Sequence, residues 1–252
     1  MARRKHLPDG WESIVQRGVA YWHVLEEHER QRLVELADFI VGSKRWEAAR
    51  DFELTDQVVV TIAMEAAVLI LGLDTSYFGK VTTIIVHPTT FSIPGPHATE
   101  ILGMVDAGPR PLLGEAHHDR GPMLLAWDQV RSSARHRGRG RNVVWHEFAH
   151  KVDMLDGVVD GTPLMQDRQA LDRWVDVCAA ELELLRSGQG GHLIDPYAAT
   201  DPGEFFAVTT EVFFDLPLEL RAEKPELYEV LAAFYRQDPA SREPARASSD
   251  NV

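Results

Sequence analysis

Residues 143–150 read VVWHEFAH, and the spacing inside this stretch decides what the rest of the chain has to supply. Positions four apart in an α-helix lie on one face about a turn from each other, so His146 and His150 point the same way. The apolar positions Val143, Val144, Phe148, Ala149, Val152 and Leu155 support that helix, and Asn142 just before it is a favoured N-cap residue type. Two imidazoles a turn apart are half of a metal site. A catalytic zinc takes three protein ligands and keeps a fourth position for a water whose pKa falls to roughly 7. Glu147, one residue past the first histidine, leans over that position as a base.

The third ligand has to come from elsewhere. A glycine and a third histidine after the motif would complete one known class, but Lys151, Val152, Asp153 and Met154 follow instead. A carboxylate is then the expected ligand, and DPGEFFAVTTEVFF at 201–214 offers Glu204 and Glu211. These are seven apart and share a helical face, so spacing does not choose between them. Asp153, three residues after His150, is a candidate to orient a histidine or cap a polar pocket.

Working outward, the first third reads as helices. Trp11, Ile14, Val15, Val19 and Trp22, then Leu25, Leu33, Leu36, Ala37 and Ile40, recur at helical spacing. Thr55-Asp56 opens an apolar helix that closes at Gly72 and is expected to be central in its lobe. VTTIIVHPTTF at 81–91 is β-branched and reads as a strand, 100–106 as a short one, and PMLLAWDQV at 122–130 as a stronger one. RSSARHRGRGR at 131–141 reads as a solvated loop whose arginines offset an acidic body. A loop at 156–163 precedes a helix over about 167–186. Asp201-Pro202 looks like the cap and first position of the next helix, which Pro217 limits. KPELYEVLAAFYRQD at 224–238 is a last amphipathic helix, and the tail lacks enough apolar residues to pack.

These elements predict an α+β class, mainly helical, with a small mixed β-sheet and an N-terminal helical lobe. One compact unit spans 1–238, divided into a lobe over about 8–75 and a catalytic part over about 80–238, with an unpacked tail at 239–252. The 252 residues are 44% hydrophobic and carry a net charge of -13, which disfavours nucleic acid and anionic membrane faces as partners. The single cysteine, Cys178, reads as a core residue, excludes an intrachain disulfide framework and fits the reducing cytoplasm. No apolar run follows the basic N-terminus, and the apolar stretch 58–73 contains Glu65 and is short for a bilayer.

HEFAHKVDMLDG, followed by YAATDPGEFFAVTTEVFF and KPELYEVLAAFYRQDP, resembles the Mlc titration factor A family of bacterial cytoplasmic zinc peptidases. ELTDQVVVTIAMEAAVLILGL, VHPTTF, GEAHHDRGPMLLAWDQV and GRNVVWHEFAH match the family pattern in order, so the likeness covers most of the chain. The catalytic half is similar to that of anthrax lethal factor, which shares a HEFxH helix and a tyrosine seven residues before a glutamate. The resemblance implies a zincin-like (gluzincin) fold with one Zn2+ per chain on His146, His150 and Glu204. It makes Glu147 the general base and Tyr197 a hydrogen-bond donor to the oxyanion, and leaves Glu211 as an acceptor for a histidine N–H. It further implies aminopeptidase-type hydrolysis of short peptides, laid as an extra strand along the edge formed by 122–130. The alternative it carries is a protein that sequesters the transcriptional repressor Mlc, which controls glucose phosphotransferase genes. His117 and His118 stand where the family often has an aromatic residue and read as an exposed loop pair, and the 131–141 loop is long for the family.

Overall fold

A computed structural model of the chain describes residues 6–49, 52–89, 122–165 and 167–243. The weak strand expected at 100–106, His117 and His118 lie outside the described residues.

Helix α1 (Trp11–Gly18) and a 3-10 turn at Ala20–Val24 lead into α2 (Glu27–Ser43), where Leu33, Leu36, Ala37 and Ile40 form the buried stripe. Strand β1 (Arg45–Ala48) follows, then α3 (Asp56–Leu69). Every residue of α3 from Val58 to Leu69 is buried. A helix that is apolar on nearly all sides has to be covered on all sides; here α1, α2, α4 (Trp127–Arg135) and α5 (Val143–Asp153) pack around it. Strands β2 (Thr83–His87) and β3 (Met123–Ala126) are the other strands among the described residues. After α5 come α6 (Arg168–Arg186), a 3-10 turn at Pro196–Ala199, α7 (Pro202–Asp215), α8 (Pro217–Glu223) and α9 (Pro225–Tyr235). One buried cluster runs from Val15 to Ala240. Cys178 packs against it, with its thiol pushed up to about 12 by burial and by the charge of Glu181. No helix among the described residues is long and apolar enough to cross a membrane.

The sheet corrects four expectations. Among the described residues its order is β1-β2-β3 and both pairings are parallel, where a mixed sheet was expected, with Trp46 opposite Ile84 and Val86 opposite Leu125. The chain returns from the end of β1 through α3 before entering β2, and a crossover of that kind sets the next strand running the same way. β1 itself gave no signal: RWEA has four residues and one large apolar side chain, too little for any period to register. The strand expected over 122–130 stops at Ala126, because Trp127, Val130 and Ala134 take up helical spacing in α4. The arginine-rich segment is therefore helix as far as Arg135, and only 136–141 is loop.

Residues 239–242, expected within an unpacked tail, are ordered against the body of the chain. Pro239–Arg242 forms a 3-10 turn, and Arg242 reaches back to Glu29 Oε1 at 2.6 Å and to the Tyr21 hydroxyl at 2.9 Å. α9 closes with Arg236 in the left-handed region (φ 52), which turns the carbonyls of Tyr235 and Arg236 toward Gly72 after α3. A Cβ at Gly72 would lie 2.4 Å and 2.6 Å from those two oxygens. Gly72→Ala therefore forces the α3 and α9 ends apart, and the thermal unfolding midpoint should fall by roughly 5 °C, from about 2 kcal/mol of overpacking. An unchanged midpoint in a calorimetric scan would refute this close approach.

Candidate metal centre

Helix α5 is positioned at its first turn. The Asn142 side chain accepts hydrogen bonds from the backbone N–H of Val144 (3.0 Å) and Trp145 (3.2 Å), which confirms the expected N-cap. The loop before it is folded around one carboxylate. Asp215, the last residue of α7, accepts from the backbone N–H of Gly138, Arg139 and Gly140 at 2.9, 2.8 and 2.7 Å. Gly138 and Gly140 sit at φ 84 and φ 65, a conformation that favours glycine and lets successive N–H groups converge. Arg137 packs over the Tyr21 ring at 4.9 Å and donates to the Phe214 carbonyl, so this loop is anchored where the sequence reads as solvated. Behind α5, Trp145 donates to the Glu65 carbonyl at 2.9 Å and lies edge-on to Tyr21.

His146 and His150 face α7 from α5, with Nε2 atoms 3.2 Å apart. Asp201 caps α7 through the Glu204 N–H at 3.0 Å and Pro202 occupies the first position, as the sequence predicts. Two carboxylates then reach the same histidine from opposite sides. Glu204 Oε2 lies 3.2 Å from His146 Nε2, with its Oε1 3.6 Å from His150 Nε2. Glu211, two turns further along α7, places Oε2 3.2 Å from His146 Nδ1. Glu204 thus joins the two Nε2 atoms, and Glu211 stands behind His146. His146, His150 and Glu204 form the one group among the described residues able to hold a metal ion.

The donor set fits a cation. With the Nδ1 proton donated to Glu211, the Nε2 of His146 presents a lone pair, and it faces a carboxylate oxygen that also has no proton to give. Glu204 Oε2 is buried and makes no hydrogen bond. Lone pairs converging at these distances are reconciled by positive charge between them, and bonds of 2.0–2.1 Å to one zinc separate tetrahedral ligand atoms by roughly 3.3 Å. The electrostatics agree. Burial pushes His146 down, yet Glu211 and Glu204 on its two nitrogens carry it well above an ordinary histidine. Burial pushes Glu204 up, but the two histidines hold it well below an ordinary carboxylate. Each direction records a site that demands a cation, as a proton or as a metal.

The other expected residues fall in different places. Glu147 is half-buried beside His146, and desolvation raises its proton affinity against the pull of both histidines. Tyr197 is half-buried on the 3-10 turn that packs against α7. Asp195 accepts from the Tyr197 N–H at 2.9 Å and pairs with Arg141, which ties that turn to the residue preceding Asn142. Asp153 is buried at the end of α5, where its Oδ2 accepts the Gly161 N–H at 3.0 Å and anchors the loop that follows. A Cβ at Gly161 would lie 2.2 Å from the Pro202 carbonyl, so that loop lies flush against the start of α7. Two surface hollows are remote from this cluster: one of about 560 Å³ near Phe52 and Trp127, one of about 630 Å³ near Tyr77 and Trp174. Neither is lined by His146, His150 or Glu204.

Sequence reasoning missed Glu65. It is fully buried on α3 and accepts from Asn142 Nδ2 at 2.7 Å, while the Asn142 backbone N–H donates to Glu211 Oε1 at 2.6 Å. The available signal was its place as the sole charged residue of the apolar run 58–73.

The chain matches the family model for glucose-regulated metallo-peptidase M90 over residues 1–236. It is 34% identical over 244 residues to an uncharacterized protein of Synechocystis sp., covering 94% of this chain and 86% of that one. It is 33% identical over 225 residues to Mlc titration factor A of Pectobacterium atrosepticum, covering 86% and 83%. The same identity and length relate it to Mlc titration factor A of Edwardsiella ictaluri, covering 86% and 84%.

Burial pushes the Glu65 carboxyl from 4.5 up to about 8, with the Asn142 hydrogen bond opposing. A raised acid contributes stability that is fully present below pH 4.5 and lost as pH rises through about 8, at ~1.4 kcal/mol per unit of difference. Glu65→Gln carries no such term, so relative to the native chain it should gain stability steadily from pH 5 to 8. Urea unfolding across that range reads the gap, and a gap independent of pH would rule out a carboxyl held neutral by burial.

Proposed function

The chain belongs to the glucose-regulated metallo-peptidase M90 family, and on that premise we propose that it is a zinc-dependent peptidase of the reducing cytoplasm that hydrolyses short peptides in an aminopeptidase-type reaction. The observation that carries this reading is the convergence of His146 Nε2, His150 Nε2 and the Glu204 carboxylate, with its buried oxygen free of hydrogen bonds, beside Glu147. His146, His150 and Glu204 would hold the ion. Two imidazoles and one carboxylate suit zinc and leave a position open. When bound, zinc supplies Lewis-acid chemistry, polarising the scissile carbonyl and lowering the pKa of a water to roughly 7.

The chain's own groups do the rest. Glu147, raised in proton affinity by burial, accepts a proton as water adds to the carbonyl carbon. The same carboxyl returns the proton to the departing amine as the C–N bond breaks. The Tyr197 hydroxyl donates a hydrogen bond to the oxygen on which negative charge develops. Glu211 keeps the Nδ1 proton of His146 in place, so that Nε2 stays available to the ion. Among the described residues β3 lies at one edge of the sheet, where an extended peptide can add as a further strand with little demand on its side chains.

A second reading draws on the name of two relatives, Mlc titration factor A. It makes this chain a partner of an Mlc-like repressor, and co-purification with such a repressor from the source cell tests it.

Two substitutions test the chemistry. Glu147→Gln should bind zinc as the native chain does while peptide hydrolysis falls by at least about a hundredfold, the lower range for loss of a general base. Retained hydrolysis with zinc in place would end the mechanism. Tyr197→Phe should lower kcat by about a hundredfold with KM nearly unchanged, corresponding to roughly 3 kcal/mol of oxyanion stabilisation. A rise in KM at constant kcat would instead make Tyr197 a substrate-binding group.

A further inference from the structure

We infer that Glu65, on α3 and outside the helices that carry the candidate ligands, is a positioning residue for the metal centre, acting through Asn142 and Glu211 on His146. This rests on the metal-centre reading of the site and goes beyond it.

The connection is continuous and buried. Glu65 Oε2 accepts from Asn142 Nδ2 at 2.7 Å, the Asn142 N–H donates to Glu211 Oε1 at 2.6 Å, and Glu211 Oε2 lies 3.2 Å from His146 Nδ1. Glu65 and Glu211 are each 1% exposed, Asn142 3% and His146 2%, so water has little access to substitute for a missing partner. Asn142 is the hinge of the arrangement because its groups serve different helices. Its Oδ1 caps α5, its backbone N–H serves α7, and its Nδ2 is held by α3.

Removing the Glu65 acceptor strands a buried amide N–H, a defect of the kind that structures relieve by moving. The relief open to Asn142 is rotation about its side-chain bonds, which draws Oδ1 off Val144 and Trp145. The first turn of α5 then loosens where it grips Glu211 Oε1. Glu211 is left with less to fix its second oxygen against His146 Nδ1, and the ring loses the partner that holds its tautomer and aim. Held neutral by burial, Glu65 still offers a carbonyl oxygen. A glutamine offers the same oxygen, whereas a methionine fills the volume and offers none.

The substituted chains are expected to fold. The Trp145 indole bonds the backbone carbonyl of Glu65, so the α3–α5 contact does not depend on the side chain, and replacing a buried carboxyl by an apolar group removes a desolvation cost.

The test measures zinc affinity of metal-free chains by competition with a chromophoric chelator, together with the d–d spectrum of the cobalt-substituted forms. Glu65→Gln should bind zinc within about threefold of the native chain. Glu65→Met should bind about tenfold more weakly, the lower end for partners behind metal ligands, with a shifted cobalt spectrum and a metal-free unfolding midpoint no lower than native. Equal weakening in both variants, or native affinity and spectrum in Glu65→Met, overturns the inference. Should Glu65→Met fail to fold, Asn142→Ser keeps a capping oxygen and lacks the amide N–H, and is expected to show the same tenfold loss; native affinity there also overturns it. A native chain that binds no divalent cation removes the metal reading and this inference together, whereas tight native binding indifferent to both substitutions removes the inference alone.

Discussion

The balance of charge around His146 is the constraint on which the rest of the molecule depends. One imidazole is gripped by two buried carboxylates, Glu204 on one nitrogen and Glu211 on the other. Isolated carboxylates in such a place would cost several kcal/mol each by desolvation. They are tolerable only where positive charge sits among them and hydrogen bonds take up their remaining lone pairs. Glu211 satisfies the second condition with the Asn142 N–H; Glu204 leaves one oxygen without a hydrogen bond, which a cation held by Glu204 and the histidines would satisfy.

Holding this arrangement requires α5 and α7 to keep a fixed register, and the fold secures it at both ends of α7. At the far end, Asp215 folds the 138–140 loop around itself and delivers the chain to Asn142. At the near end, Asp201 caps α7, and the loop after α5 lies against Pro202 with Asp153 fixing it from beneath. α3 closes the third side, packing on α5 with the Glu65 side chain on Asn142 and its backbone carbonyl on the Trp145 indole. The N-terminal helices are in this way part of the site's support, since the Glu65 side chain of α3 reaches α5 at its cap.

How much of this can be read from the sequence depends on the range of each interaction. The α5 helix, its Asn142 cap and the Asp201-Pro202 start of α7 are local effects, set within four residues, and spacing and residue type reveal them. The parallel direction of the sheet is not local. It follows from where α3 carries the chain, and β1 becomes a strand only because β2 lies beside it. Trp127 misleads because a large apolar residue after MLLA extends a strand pattern as readily as it opens a helix. Spacing places Glu204 and Glu211 on one face of α7, but which nitrogen each reaches depends on how far α7 is displaced along α5. Tyr197 gave no signal of its own and came only through resemblance. Asp215 and Glu65 look like an ordinary helix-end acid and a flaw in an apolar run until the distant backbone groups they serve are in place.

The Asp215 carboxylate lies 75 to 77 residues downstream of the loop that it folds. A chain emerging from the ribosome therefore carries both histidines and Glu147 well before it carries Glu204, Glu211 or the acid that sets the approach to α5. The cluster able to hold a cation is thus completed only late in synthesis, when α7 follows α5 out of the ribosome.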